Sequence, residues 1–319
     1  MTTSSKNTPS TTSEPTRRQL LLGSLGAAAV GSSLTQPVMA EESGVVYGNI
    51  QQSIVWWCFG VFGEKWSVEK TAIIAKKLGC KSVELVGPKD WAALKKHDIT
   101  CAIASNGIEG PPFVKGLCNA SYHQLVTDST NKMVDAAADF GCPNVIAFTG
   151  MRWNDAEDPK SGEIPLEKGI KNCVEGLKKL ARQAEKKKVT ICLEHLNSRV
   201  TGDDSRGHPG YFGDQVDVCM DILKQVGSER VKLLFDIYHV QIMDGDLVKR
   251  IRDCGDMIGH VHTAGNPGRR ELDDQQEIQY PILMKTLLDI GYKGYVGQEF
   301  IPNGDPETTL AAAVRLCDV

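Results

Sequence analysis

Four predicted strands in the second half of the chain each end in a side chain that can bind a metal ion or move a proton. Short apolar runs lead into Glu194, Asp236, His262 and Glu299, in that order along the chain. Such residues surround the active site when parallel strands close into a barrel. Three carboxylates and one imidazole suit Mn²⁺, Mg²⁺ or Co²⁺, whereas Zn²⁺ more often recruits further His or Cys. We therefore predict a divalent metal centre formed by these four residues.

Each of these residues also has a structural explanation. A lone Asp or Glu at a strand end is often a helix N-cap, but four in succession favour a shared site. His260 lies two residues before His262 and points the same way in a continuous strand. It is therefore either a further ligand or a hydrogen-bonded residue of the barrel interior. His195 directly follows Glu194, faces the opposite side and is predicted to be structural.

Alternating strands and helices position these residues. The predicted strands span residues 53–59, 81–86, 99–105, 144–149, 189–194, 231–236, 257–263 and 294–299. Helices are predicted between and after them, at residues 68–78, 90–97, 120–140, 166–187, 214–226, 246–254, 277–290 and 306–316. This alternation over about 270 residues predicts an α/β fold, a (β/α)8 TIM barrel, as a single domain over residues 41–319. A doubly wound open sheet is the competing fold, but no Gly-rich nucleotide-binding motif follows an early strand.

The first forty residues differ in composition from the rest. Residues 1–16 are rich in Ser, Thr and Pro and are predicted to be disordered. Arg17 and Arg18 then precede a short Gly- and Ala-rich apolar stretch that ends near a small-residue tripeptide, 38–40. This order is typical of a secretory signal, and the paired arginines resemble the twin-arginine export signal. We predict a signal peptide over residues 1–40, export to the periplasm, and no stable membrane span after processing, because a span needs about 20 strongly apolar residues.

Composition restricts the partners of the protein. A net charge of −4 argues against broad nucleic-acid binding, which needs a positive surface. We expect a small-molecule substrate, and the sequence leaves open whether the chain forms a homo-oligomer. The ten cysteines are scattered singly without a C-x-x-C pair, so most are predicted to be reduced and buried. Folding in the cytosol before twin-arginine export is compatible with reduced thiols.

Several motifs resemble the hydroxypyruvate isomerase family, which belongs to the xylose isomerase-like barrel superfamily. They are LEHLNSR (193–199), FDIYHVQ (235–241), HVHTAGNPGRREL (260–272) and GQEFIP (297–302), in the family's order. The resemblance spans about residues 51–319. It implies a metal held by Glu194, Asp236, His262 and Glu299, with the two glutamates also moving the proton. These isomerases typically have Gln at the position of His262, and the histidine here is closer to the ketose 3-epimerases.

The resemblance implies an aldose–ketose type isomerisation through an enediolate, with hydroxypyruvate converted to tartronate semialdehyde. His239 is predicted to hydrogen-bond a substrate oxygen, and Arg269 to hold a carboxylate through two parallel hydrogen bonds. A ketose 3-epimerase or related sugar isomerase is the alternative activity. A non-catalytic sugar-binding barrel is the alternative of another class. Phosphodiester cleavage by a multi-zinc centre is disfavoured because the chain is acidic and contains few histidines.

Overall fold

Eight parallel strands form the barrel wall in the computed structural model, which describes residues 44–202 and 206–319. Within these residues a separate two-stranded antiparallel hairpin follows the fourth barrel strand and precedes the fifth along the chain. In chain order the strands are β1 Gln51–Val55, β2 Ser82–Glu84, β3 Ile103–Ala104, β4 Asn144–Phe148, β5 Trp153–Asp155, β6 Asp158–Glu163, β7 Thr190–Glu194, β8 Val231–Asp236, β9 Ile258–Thr263 and β10 Tyr295–Gln298.

The order of the barrel strands is β2-β1-β10-β9-β8-β7-β4-β3. The two ends of this order meet through backbone hydrogen bonds, because Leu85 N donates to Ile103 O (3.0 Å) and Val83 N donates to Thr100 O (3.1 Å). The predicted (β/α)8 barrel is confirmed. Parallel pairing places every strand's carboxyl end on the same rim, and in this register Asp236 lies opposite His262.

The helices surround the barrel and pack their apolar faces on the strands. Ser67 accepts a hydrogen bond from Lys70 N and begins the first long helix, and Gly79 ends it in the left-handed conformation (φ 79°). In chain order the helices are α1 Trp56–Gly60, α2 Val68–Leu78, α3 Trp91–Lys96, α4 His123–Phe140, α5 Leu166–Lys187, α6 Val216–Val226, α7 Ile237–Met243, α8 Leu247–Cys254, α9 Tyr280–Asp289 and α10 Pro306–Cys317.

The core lies mainly between the strands and the helices, and a smaller apolar cluster fills the barrel beneath the rim. That inner cluster includes Ile146, Phe148, Leu196 and Leu234. All ten cysteines are free and buried, which confirms their predicted state. Among the described residues, no helix combines the length and the apolar character needed to cross a membrane.

Three parts of the sequence prediction were wrong in detail. The predicted first strand, 53–59, ends at Val55, and α1 follows it. Cys58 and Phe59 are buried in this helix, so the apolar run that predicted a longer strand continues into helix α1. The stretch 150–165, in which no strand was predicted, contains the β5–β6 hairpin, and the segment directly after Asp236, in which no helix was predicted, is helix α7. The predictions for residues 1–40, a disordered start and an export signal, lie outside the described residues.

Candidate active site

The four predicted metal ligands lie together at the carboxyl-terminal rim. Glu194 and Asp236 end β7 and β8, His262 is the penultimate residue of β9, and Glu299 directly follows β10. One ligand atom from each residue lies within 4.8 Å of those of the other three. His262 Nδ1 is 3.1 Å from Glu299 Oε2 and 3.6 Å from Glu194 Oε1. The structure therefore brings together all four residues that the sequence analysis singled out.

The donor set of this cluster fits a divalent cation. Glu194 Oε1, Asp236 Oδ2 and His262 Nδ1 are buried and make no hydrogen bond within the described part of the chain. Leaving buried polar atoms unpaired costs roughly 1–3 kcal/mol each, yet these three face one another. A cation at their centre would satisfy them together, and a set of carboxylate oxygens with one imidazole nitrogen suits Mn²⁺, Mg²⁺ or Co²⁺.

Burial and neighbouring charges shift the pKa values of all four residues of the cluster. Burial, and then the charge of Glu299, raises the pKa of Asp236 to about 8. Burial likewise raises the pKa of Glu194. Glu299 differs, because the charges of Arg269 and His262 outweigh burial and hold its pKa well below the usual range. For His262, burial lowers the pKa, but the charge of Glu299, the nearby carboxylate of Glu194 and the hydrogen bond to Glu84 outweigh burial and raise it.

His239 lies beside the cluster in the first turn of α7. Asp236 Oδ1 begins this helix by accepting a hydrogen bond from His239 N (3.1 Å). The ring accepts a hydrogen bond at Nδ1 from Asn197 N (3.0 Å), so in the neutral ring the proton is on Nε2. Burial, and then the charge of Arg269, lowers the pKa of His239 well below its usual value. Its Nε2–H therefore lies 3.6 Å from Asp236 Oδ2 as a neutral donor at the cluster.

Arg269 forms part of the wall of the site and is almost fully buried. Its Nη2 is 2.7 Å from Glu299 Oε2 and 3.9 Å from Asp236 Oδ2. The guanidinium also lies over the rings of Trp57 (5.2 Å) and Tyr238 (5.7 Å). The structure thus places the predicted carboxylate-binding residue at the site, already in an ion pair with Glu299.

Sequence reasoning missed several residues of the site. Trp57 Nε1 donates to Glu299 Oε1 at 3.1 Å. His208 lines the cavity, with its ring edge-on to Phe113 at 4.4 Å. Glu84 accepts hydrogen bonds from two histidines of β9. For Glu84 a signal existed, because a glutamate inside an apolar predicted strand needs a buried partner.

His260, which the sequence left undecided, and His195, which was predicted to be structural, have different surroundings. His260 Nε2 lies 2.9 Å from Glu84 Oε1, so His260 is hydrogen-bonded in the barrel interior and is outside the four-residue cluster. His195 is completely buried with its ring 6.1 Å from that of Phe235. Burial lowers the pKa of His195 to about 4, so this residue is a neutral core histidine, as predicted.

A cavity of about 340 Å³ opens above the cluster. Its charged and imidazole side chains are those of Glu194, Glu299, Arg269 and His208. The other lining residues are mostly apolar and are Trp57, Leu85, Ser105, Ile108, Gly110, Pro112, Phe113, Ile146, Phe148 and Leu196. A larger cavity of about 620 Å³ lies at the other end of the strands, around Asn144, Thr190 and Ile258, away from the carboxylates. We assign the candidate site to the smaller cavity because it holds the convergent polar groups.

The fold and the site define a TIM-barrel protein with an enzyme-like acidic cluster at its carboxyl-terminal rim. The chain belongs to the Xylose isomerase-like TIM barrel family, whose model matches residues 73–318.

Comparison with individual proteins gives partial matches. The chain is 33% identical over 161 residues to the 2-oxo-tetronate isomerase of Cupriavidus necator, and the aligned region covers 49% of this chain and 59% of the relative. It is 31% identical over 145 residues to the hydroxypyruvate isomerase of Escherichia coli, covering 46% of this chain and 52% of the relative. The chain thus spans between half and two thirds of the length of these relatives. The crystal structure of an AP endonuclease, family 2, from Brucella melitensis has the same fold, with a TM-score of 0.69, 24% identity and coverage of 82% and 98%.

Proposed function

We propose that this barrel is a metal-dependent isomerase that moves a proton between neighbouring carbon atoms of a small hydroxy-oxo acid or sugar. The favoured reaction is the conversion of hydroxypyruvate to tartronate semialdehyde. The observation that carries the proposal is the convergence of Glu194, Asp236, His262 and Glu299 within 4.8 Å, with Glu194 and Glu299 lining a cavity. The names of the hydroxypyruvate and 2-oxo-tetronate isomerases that the chain resembles support it.

The four clustered residues would hold Mn²⁺, Mg²⁺ or Co²⁺. When bound, such an ion supplies positive charge that stabilises negative charge on nearby substrate oxygen atoms. His239 would donate from Nε2 to a substrate oxygen, since its Nδ1 is already engaged by Asn197. Arg269 would bind the carboxylate of an acid substrate, and the apolar wall around Phe113 and Phe148 would exclude water from the reacting carbons.

The two glutamates differ in how tightly they are held. Trp57 and Arg269 contact the two oxygens of Glu299 and fix its carboxylate. Glu194 Oε1 makes no such hydrogen bond, and Glu194 lines the cavity. Glu194 is therefore the better candidate to take the proton from the carbon beside the carbonyl and return it to the adjacent carbon. A hydroxyl proton passes between the two substrate oxygens in the same reaction, so the product is an isomer.

A ketose 3-epimerase is the second candidate, and two observations favour it. Epimerisation needs a base on each face of the substrate, and both Glu194 and Glu299 line the cavity. The cavity of about 340 Å³ also has room for about eleven groups of the size of a water molecule, at about 30 Å³ each. Hydroxypyruvate has only seven non-hydrogen atoms, whereas a hexose has twelve. His262 also supports this candidate, because a histidine at this position resembles the ketose 3-epimerases more than the hydroxypyruvate isomerases.

Proton exchange in D2O distinguishes these activities. The protein is incubated with Mn²⁺ and a panel of hydroxy-oxo acids and ketoses, with and without chelator, and deuterium incorporation is located by NMR. Exchange at the carbons beside the carbonyl of an acid supports the isomerase, and exchange at carbon 3 of a ketose supports the epimerase. Failure of exchange with every substrate would contradict both.

Glu194→Gln tests the non-catalytic alternative. The variant should lose exchange because the amide cannot accept the proton, and it should retain binding of the best substrate because the amide keeps the shape of the side chain. Glu271→Gln is the matched control, since Glu271 is a buried carboxylate that accepts hydrogen bonds from Asn303 N and Gly304 N outside the cluster. Binding by the native protein without any turnover would favour a sugar-binding barrel.

We also propose that residues 1–40 direct export to the periplasm. Arg17 and Arg18, followed by a short apolar stretch, support this proposal.

A further inference from the structure

Glu84, at the end of β2, joins two histidines across the interior of the barrel. Its Oε1 accepts hydrogen bonds from His260 Nε2 (2.9 Å) and His262 Nε2 (2.8 Å), and all three side chains are completely buried. The two histidines are two residues apart and share one face of β9. β1 and β10 separate β2 from β9 in the sheet, so the contact crosses the barrel rather than joining neighbouring strands.

A glycine makes this contact possible. Gly297 on β10 lies opposite His262 in the sheet register. A Cβ atom at Gly297 would lie 2.3 Å from Glu84 Oε1 and 2.9 Å from His262 Cδ2. Any larger residue at this position would displace the Glu84 carboxylate and the His262 imidazole. The hydrogen bond between them therefore depends on β2, β9 and β10 together.

We infer that Glu84 is a positioning residue that fixes the ring of His262 with its Nε2–H toward the barrel interior and its Nδ1 toward the acidic cluster. This inference rests on the proposed metal site. A histidine that donates one ring N–H to a carboxylate presents the other nitrogen as a more basic ligand. His262 Nδ1 lies 3.1 Å from Glu299 Oε2, which is where such a ligand would be needed.

The same three residues could instead form a second metal site, but their distances disfavour it. Two ligands at about 2.0–2.1 Å from a tetrahedral ion are about 3.3 Å apart. The observed N···O distances of 2.8 and 2.9 Å to one shared oxygen are those of hydrogen bonds. Glu84 therefore acts on the metal through His262.

Three variants test the inference. Glu84→Ala removes the acceptor, and Glu84→Gln keeps a carbonyl oxygen for both N–H groups while removing the charge. Gly297→Ala displaces Glu84 without changing any ionisable group. Asp318→Asn is the control, because Asp318 is a buried carboxylate that accepts backbone N–H groups of Tyr47 and Gly48 far from the site.

The first measurement is the affinity of the chelator-treated protein for Mn²⁺ by titration calorimetry. We expect Glu84→Ala and Gly297→Ala to weaken binding about 10–100-fold. Glu84→Gln should lose less than tenfold, and Asp318→Asn should bind like the native protein. Native affinity in both Glu84→Ala and Gly297→Ala, or two ions per native chain, would overturn the inference.

The second measurement is independent of metal. In ¹⁵N-histidine-labelled protein, the Nε2–H proton of His262 should be visible and protected from exchange, with or without Mg²⁺. Glu84→Gln should keep this signal and Glu84→Ala should lose it. If the native protein binds no divalent ion, the proposed metal site fails, and this signal still decides whether Glu84 holds His262. An unprotected Nε2–H in the native protein would refute the role of Glu84.

Discussion

Replacing Asp236 with Asn should stabilise the metal-free protein and remove most of the stabilisation that a bound metal ion gives. Asp236 Oδ1 accepts a hydrogen bond from His239 N, and an asparagine carbonyl can take over this N-cap. The other oxygen, Oδ2, is buried without a hydrogen bond and faces the cluster. In the variant an NH₂ group takes its place, and a hydrogen-bond donor cannot bind a cation. The substitution thus removes one ligand and one buried charge while keeping the helix.

The size of the effect follows from the pKa of Asp236, which burial and the charge of Glu299 raise from 3.8 to about 8. The folded metal-free protein then holds a proton that the unfolded chain has released, so its stability falls as the pH rises from about 4 to about 8. At 1.36 kcal/mol per pH unit, the loss at pH 7 is on the order of 4 kcal/mol. For a barrel of about 270 residues this corresponds to roughly 7 °C in Tm.

The assay is thermal unfolding of both proteins in chelator and in excess Mn²⁺. In chelator at pH 7 the variant should melt about 7 °C above the native protein, and the difference should disappear near pH 4. At a metal concentration about 1,000 times Kd, the native protein should gain about 4 kcal/mol, and the variant should gain almost nothing.

Asp305→Asn provides the control for this experiment. Asp305 also begins a helix, by accepting a hydrogen bond from Thr308 N, but it lies outside the cluster. Its substitution should leave the metal response unchanged. A variant at Asp236 that melts below the native protein in chelator at pH 7, or gains as much from Mn²⁺, would refute the reasoning.

Further predictions concern the substrate and the N-terminal segment. Arg269→Gln should raise KM far more for a hydroxy-oxo acid than for a ketose, because only the acid has a carboxylate to bind; equal increases in steady-state assays would contradict this role. His239→Phe removes the Nε2–H donor and should lower kcat/KM about 10–100-fold, a loss of 1.4–2.8 kcal/mol in transition-state binding; native kcat/KM in a folded variant would exclude the contact. Replacing Arg17 and Arg18 with Lys should retain the protein in the cytoplasm of a bacterial host, measured by cell fractionation, and unchanged export would reject the twin-arginine assignment.

The strand-end residues were predictable because each follows a local apolar run. The predicted strand 231–236 matches β8, and the predicted helix 166–187 matches α5, since both have clear apolar patterns and boundaries. In a parallel barrel the carboxyl ends of all strands lie on one rim, so residues that end consecutive strands become neighbours there. The sequence alone therefore predicted that four residues would lie close together: Glu194, Asp236, His262 and Glu299.

Contacts across the barrel could not be predicted in this way. Glu84 is 176 residues from His260, and periodicity gives the face of a strand but not the residue it meets. The contact between Trp57 and Glu299 depends on α1, which replaces the end of the predicted first strand. Apolar residues are common to buried strands and buried helices, so the sequence pattern could not distinguish the two.

The buried cysteines give this barrel a set of internal probes for its own opening. Burial raises the pKa of Cys80, Cys118 and Cys317 to about 12, so these thiols are poor nucleophiles while the fold is closed. An alkylating reagent can then modify a cysteine only when the surrounding segment opens. Because Cys192 lies in β7 and Cys317 ends α10, labelling rates resolved by mass spectrometry would show which βα units open first and whether metal slows the opening of the acidic rim.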